Sequence, residues 1–255
     1  MILAIDVGNT NIVIGAFEGD TLVKNWRIST AHQRTTDEMG MFMLQLLEHH
    51  KLDIGDIDDV IVSSVVPQVM FSLERAISRY LKHEPIVIGP GVKTGINIKY
   101  DDPKEVGADR IVNAVAAYNI YGGPCIIIDL GTATTFCAVT EKADYLGGVI
   151  CPGVKISLDA LITHTSKLPK IELILPAKVI GKTTVSSMQS GMVYGYAGQI
   201  EAIVRLMKAE MGGADIKVIA TGGLASMISQ ATDVIDIIDA NLTLKGLQIL
   251  YRKNR

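Results

Sequence analysis

Cysteine is scarce in this chain, and nothing about it points to a disulfide framework. Cys125, Cys137 and Cys151 show no Cys-x-x-Cys spacing. An odd count without a secretion signal indicates reduced thiols and a cytoplasmic setting. None of the five histidines, His32, His49, His50, His83 and His164, is spaced from a second ligand as in a metal site. Net charge is only −3 and no long basic run occurs, which removes the electrostatic basis for binding nucleic acid or an anionic membrane. The N-terminal apolar run has no basic region before it and is too short to cross a bilayer, so it reads as a strand. No low-complexity segment interrupts the chain. The short Arg252-Lys253-Asn254-Arg255 end reads as a solvated tail.

What remains is an ordinary globular composition, 48% hydrophobic and 20% charged over 255 residues. Such a chain suffices for one large domain or two small ones and buries roughly 70–75% of its unfolded surface. One stretch organises it. The apolar run Ile2 to Ile5 leads to Asp6, a Gly8-Asn9-Thr10-Asn11 corner follows, and Ile12 to Phe17 form a second β-branched run. This predicts a hairpin whose first strand delivers a carboxylate to a tight turn. Free backbone N–H groups there suit a phosphate, and Asp6 suits a magnesium-bound water. A buried hairpin with a polar turn reads equally well from this stretch alone. The pattern returns, however, in Cys125 to Phe136, with Asp129, Gly131 and a hydroxyl-rich corner. Two such hairpins half a chain apart predict a duplicated fold with two facing loops.

Taken in order, residues 2–7, 11–17 and 21–29 form a meander. A helix runs from Asp37 to His50, its methionines serving as core filler. Residues 60–66 form a buried strand, and Pro67 opens a helix to about Lys82. Short strands follow near 85–88 and 96–100. The Asp101 to Arg110 segment opens a helix through Tyr118, broken at Gly122-Gly123-Pro124. The second half repeats the meander at 125–130, 134–140 and 145–150, then a helix from Val154. Residues 167–182 read as irregular. A long helix from Thr183-Thr184 to about Met211 carries Gly191, Gly195 and Gly198, a spacing for close packing or a bound partner. A strand ends in Thr221-Gly222-Gly223, and a last helix carries Leu242, Leu244, Leu247 and Leu250 on its core side. The domain boundary is placed at 117/118, dividing 1–117 from 118–255.

Asp6-Val7-Gly8-Asn9-Thr10, Ser63-Ser64-Val65-Val66-Pro67, Gly107-Ala108-Asp109-Arg110 and Asp129-Leu130-Gly131-Thr132-Ala133 stand in this order. Together they closely resemble the type III pantothenate kinases, over the whole chain. The resemblance implies an α/β, duplicated actin-like (ribonuclease H-like) ATPase fold, with two domains and a central cleft. It implies ATP-dependent phosphorylation of pantothenate, the first step of coenzyme A synthesis. Residues Asp6, Val7, Gly8, Asn9, Thr10, Asn11, Ile12 and Val13, with Thr132, match the ATP site. Thr221-Gly222-Gly223 is placed near the adenosine. Asp109 matches the catalytic base, and Tyr100, Gly107, Ala108, Asp109, Arg110 and Thr184 the substrate site. Asp129 matches a potassium or ammonium ligand, and Asp6 the magnesium side. A homodimer acting on ATP and pantothenate, without nucleic acid or membrane, completes the expectation.

Plainer readings stand beside these. Asp109-Arg110 alone reads as an ion pair or a helix N-terminal charge, Tyr100 as a strand aromatic, Thr184 as a cap, and Asp129 as a mirror-image magnesium site. Two other functions compete: a kinase of the same superfold for a sugar or short carboxylate, and a nucleotide-binding regulatory protein without transfer activity.

Overall fold

The computed structural model describes residues 1–213 and 215–255. Two compact units divide the chain: Met1–Gly95, Asp101–Ala116 and Leu242–Arg255 form the first, and Ile96–Tyr100 with Ala117–Asn241 the second.

In the first unit, β1 (Ile2–Val7), β2 (Asn11–Glu18) and β3 (Thr21–Ser29) form the expected meander. Helix α1 (Thr36–His49) starts at a capping box, in which Thr35 and Glu38 satisfy each other's backbone N–H groups. Strand β4 (Asp59–Ser64) is followed by α2 (Pro67–Ala76), with Pro67 in its first turn. A π-helical segment, Ile77–Leu81, extends α2 and ends at Lys82 in the left-handed region. Strand β5 (Ile86–Val87) completes a sheet of order β3-β2-β1-β4-β5. Leu3, Ile5 and Val7 alternate onto one face of β1 and pack with Val60, Val62, Met39, Met43 and Leu73.

The second unit repeats this plan. Its strands are β6 (Asn97–Ile98), β7 (Cys125–Leu130), β8 (Ala133–Val139), β9 (Asp144–Pro152), β10 (Lys217–Thr221) and β11 (Ile237–Ile238), in the order β11-β10-β7-β8-β9-β6. Read from β9 to β11, this is the first sheet again, with β6 added at the edge. Even the irregularity recurs, at Ala16/Phe17 and at Ala138/Val139. Helices α3 (Ala108–Tyr121), α4 (Val154–Thr163), α5 (Thr184–Glu210), the short α6 (Ala225–Ile228) and α7 (Leu242–Asn254) complete the chain. Helix α3 starts in the first unit and ends in the second.

Several expectations change. The sequence places residues 242–255 in the second half, whereas α7 packs in the first unit. Leu244 lies against Gly15, and Gly246 admits the Val112 backbone so closely that a Cβ there would come within 2.3 Å of its carbonyl oxygen. Thr243 donates to Asn113 at 2.7 Å, and Gln248 donates to Gly19 O at 2.9 Å. An amphipathic stripe states that a helix has a core to join, but not which core. The tail is also not merely solvated: Arg252 pairs with Asp20 and Arg255 with Asp59, which is 6% exposed by its side chain. Gly191, Gly195 and Gly198 are exposed, and a Cβ on any of them meets nothing within 4 Å, so no close packing within the described residues explains them. Thr183, not Thr184, caps α5.

All three cysteines are free. Burial pushes the Cys125 thiol up to about 12, which makes it a core residue and not a nucleophile. No described helix is long and apolar enough to cross a membrane.

Arg255→Ala leaves the buried Asp59 carboxylate without its guanidinium. Because Arg255 itself is largely exposed, the expected loss is about 1–3 kcal/mol, below that of a fully buried pair. Urea unfolding checks this, and Arg255→Lys should recover part of the loss.

Candidate active site

In the first unit the site is built where β1 and β4 end. The two strands run parallel, with Asp6 opposite Ser63 and Val7 opposite Ser64. Ser63, fully buried, donates its hydroxyl to Asp6 Oδ1. Beyond β1 the chain turns through Gly8 to Asn11, since Val7 already pairs with Ile12. Gly8 N–H donates to Asn11 O at 3.0 Å, and a Cβ on Gly8 would press that oxygen at 3.1 Å. Thr30 fixes the turn from the side: its N–H donates to Thr10 O at 3.0 Å and its Oγ1 to Gly8 O at 2.6 Å. Asn9 and Thr10 stand exposed at the tip. Val7 and Ile12, by contrast, point into the core, so only their backbone is available to a ligand.

The Gly107–Arg110 segment belongs to the same corner. Val65 N–H donates to Val7 O at 3.1 Å, and the Gly107 Cβ position lies 3.5 Å from Val65 Cγ1 and 2.6 Å from Asp109 Oδ1. Glycine at 107 is therefore what lets the Asp109 carboxylate fold back over the start of α3. Gly107 O accepts from Arg110 N–H at 3.1 Å and Ile111 N–H at 3.2 Å. Asp109 Oδ1 accepts the Arg110 backbone N–H at 2.8 Å. Burial raises the Asp109 pKa above 3.8; the Arg110 N–H and the Arg110 charge oppose this but do not cancel it. A carboxylate so placed is a better proton acceptor than an exposed one. Arg110 is 6% exposed, and its fork suits a carboxylate ligand.

The second unit holds the corresponding corner at the ends of β7 and β10. Asp129 lies opposite Thr221 in parallel register. Its turn is one residue shorter, because Leu130 pairs with Thr134 and Gly131 N–H donates to Ala133 O at 3.1 Å. Exposed Thr132 is tied to the start of α4 by the Gly153 N–H, which donates to Thr132 O at 3.1 Å. Gly222, at φ +93, passes so close that a Cβ would lie 2.7 Å from Asp129 Oδ1 and from Leu130 N. Here glycine serves both the left-handed conformation and the approach. Tyr100 and Thr184 also belong to this unit. The Tyr100 ring covers Gly147, 3.4 Å from its Cβ position, and lies 6.5 Å from the Tyr145 ring. Thr184 is exposed in the first turn of α5.

Thr30 and Gly153 enter the geometry without having been singled out in the sequence, and Ser63 stands in the Ser63-to-Pro67 motif without a role of its own. The signal for Ser63 is its place one residue before the end of a buried strand; nothing local marks Thr30 or Gly153.

Solved structures share this plan. A conserved putative Baf family transcriptional activator from Campylobacter jejuni matches with TM-score 0.60 at 21% identity, over 99% of this chain and 98% of that one. EutJ, an ethanolamine utilization protein from Carboxydothermus hydrogenoformans, matches at 0.57 and 12%, over 97% and 89%. Component A of (R)-2-hydroxyglutaryl-CoA dehydratase from Acidaminococcus fermentans matches at 0.56 and 14%, over 98% and 96%. The fold is the duplicated actin-like ATPase and sugar-kinase fold, and the chain is a kinase of that class. More narrowly, residues 2–206 match the family model for type III pantothenate kinase, and the chain belongs to that family. A kinase of this kind uses ATP with a divalent metal, acts on a small substrate, and serves coenzyme A biosynthesis.

The raised pKa of Asp109 bears on stability. The folded state holds this proton more tightly than the unfolded chain. Its contribution is thus present below the ordinary value of 3.8 and is lost as pH rises through the raised folded value. Asp109→Asn is expected to melt above the wild type near neutral pH, with the gap closing below about pH 4. Calorimetric melting across that range checks the sign.

Proposed function

We propose that this kinase transfers the γ-phosphoryl group of ATP to the primary hydroxyl of pantothenate, giving 4′-phosphopantothenate. The observation that carries the reading is Asp109: a partly buried carboxyl with a raised pKa, beside Arg110, at the strand ends where Asp6 and the Gly8–Asn11 turn also lie. Pantothenate offers an alcohol to be deprotonated and a carboxylate to be held. Asp109 accepts the hydroxyl proton, a role worth about 10²–10⁴-fold, and Arg110 with Gly107, Ala108, Tyr100 and Thr184 binds the acid. The backbone of residues 6–13 and Thr132 cradle the nucleotide phosphates, and Thr221-Gly222-Gly223 takes the adenosine. Phosphoryl transfer through a loose transition state asks mainly for alignment and charge neutralisation, which such a cradle supplies.

The donor sets fit the cations this reading requires. Asp6 offers one carboxylate beside a hydroxyl-bearing turn, in keeping with magnesium, which retains several waters and binds through one or two carboxylates plus phosphates. Asp129, at the end of β7, offers a carboxylate oxygen to potassium or ammonium. When bound, these ions neutralise charge developing on the phosphates.

A coupled ADP assay with magnesium, with and without potassium, tests the function. Turnover is expected with pantothenate, enhanced by potassium, and lowered at least 10²-fold in Asp109→Asn with ATP binding retained. Turnover of a hexose instead would make it a sugar kinase. ATP binding without turnover of any acceptor would favour the regulatory reading, which the C. jejuni structure's description as a putative transcriptional activator also raises.

The reading includes a cytoplasmic homodimer, with the exposed Gly191, Gly195 and Gly198 face of α5 as its contact. Three glycines exposed in a helix cost up to about 1 kcal/mol each, which close approach of a second helix offsets. In a dimer so built, Gly195→Ala strengthens the isolated helix yet weakens association. Sedimentation should show dissociation at higher concentration than the wild type; a monomeric wild type ends this part of the reading.

A further inference from the structure

Ser63 opens the Ser63-Ser64-Val65-Val66-Pro67 motif without a role of its own, yet its hydroxyl is in hydrogen-bond contact with the Asp6 carboxylate. Ser63 is fully buried on β4, directly opposite Asp6 in the parallel ladder, and its Oγ–H donates to Asp6 Oδ1. Registered residues on adjacent parallel strands share a face, so the pairing is built into the sheet rather than into a mobile loop. The duplicated unit repeats the placement: Thr221, 2% exposed, lies opposite Asp129 at the same step of β10 against β7. A small hydroxyl residue beside the acid is thus a property of both corners. A charge-assisted hydrogen bond from a fully buried hydroxyl favours one orientation of the carboxylate.

We propose that Ser63 is a positioning residue: it fixes the Asp6 carboxylate in the rotamer that receives the magnesium of the bound nucleotide. This rests on the assignment of Asp6 to the nucleotide side, but not on the identity of the acceptor. Removing an outer partner of a metal-binding carboxylate typically lowers metal affinity 10–100-fold. The test is calorimetric binding of ATP to the full chain, with magnesium and with EDTA, to wild type, Ser63→Ala and Ser63→Thr. Ser63→Ala is expected to weaken binding of magnesium–ATP about tenfold while leaving metal-free ATP binding unchanged. Ser63→Thr, which keeps the hydroxyl, should restore most of the loss. Melting curves of the three proteins show whether the fold is intact. Equal weakening with and without magnesium, or no change in Ser63→Ala, overturns the proposal. Because pantothenate is absent, a wild type that binds magnesium–ATP yet never phosphorylates pantothenate sinks the acceptor assignment while leaving Ser63 standing.

Discussion

The parallel pairing of β1 with β4 is the constraint on which the corner depends. It brings Asp6 and Ser63 side by side and ends both strands at the same level, so that the Gly8–Asn11 turn and the Val65 segment emerge together. Ligands of open α/β sheets bind beyond the carboxyl ends of the strands, and the chain spends its special residues there. Gly8 lets the turn close, Thr30 ties it from the next element, and Gly107 allows a carboxylate to lie over the start of α3. The strands below are buried on both faces and largely apolar. A slip of one residue in their pairing moves each side chain to the opposite face and separates the acid from its hydroxyl.

Asp109 illustrates the tension between stability and chemistry. At the start of a helix an acid ordinarily gains from the exposed N–H groups, and Asp109 does receive the Arg110 N–H. Burial outweighs that gain and raises its pKa. A sequence selected for stability alone has little reason to keep an ionisable group where ionisation is costly. Perturbed acids of this kind concentrate at functional sites, and this one sits beside the turn that follows the other acid.

The two units show what duplication preserves and what it releases. Strand order, the bulge in the second hairpin and the acid–hydroxyl register all recur. The turns do not: the first has one residue more, and only the second is closed by a glycine against its acid. The shared features concern the sheet, whose hydrogen bonding tolerates little change. The divergent ones concern loops, where each corner is free to meet a different part of a ligand.

Much of this was legible in the residues. The apolar run before Asp6, Pro67 at a helix start and the repeated Asp-x-Gly corners are local signals, and each maps onto the element it announces. The sequence by itself determined the strands, the helices and the duplication, because these follow from periodicity and turn chemistry within a few residues. Only the tertiary structure decided that α7 joins the first core, that Arg255 reaches the buried Asp59, and that Ser63 donates to Asp6. Those facts join residues from 57 to 229 positions apart, and a linear pattern carries a side chain's polarity and spacing but not the address of what it touches.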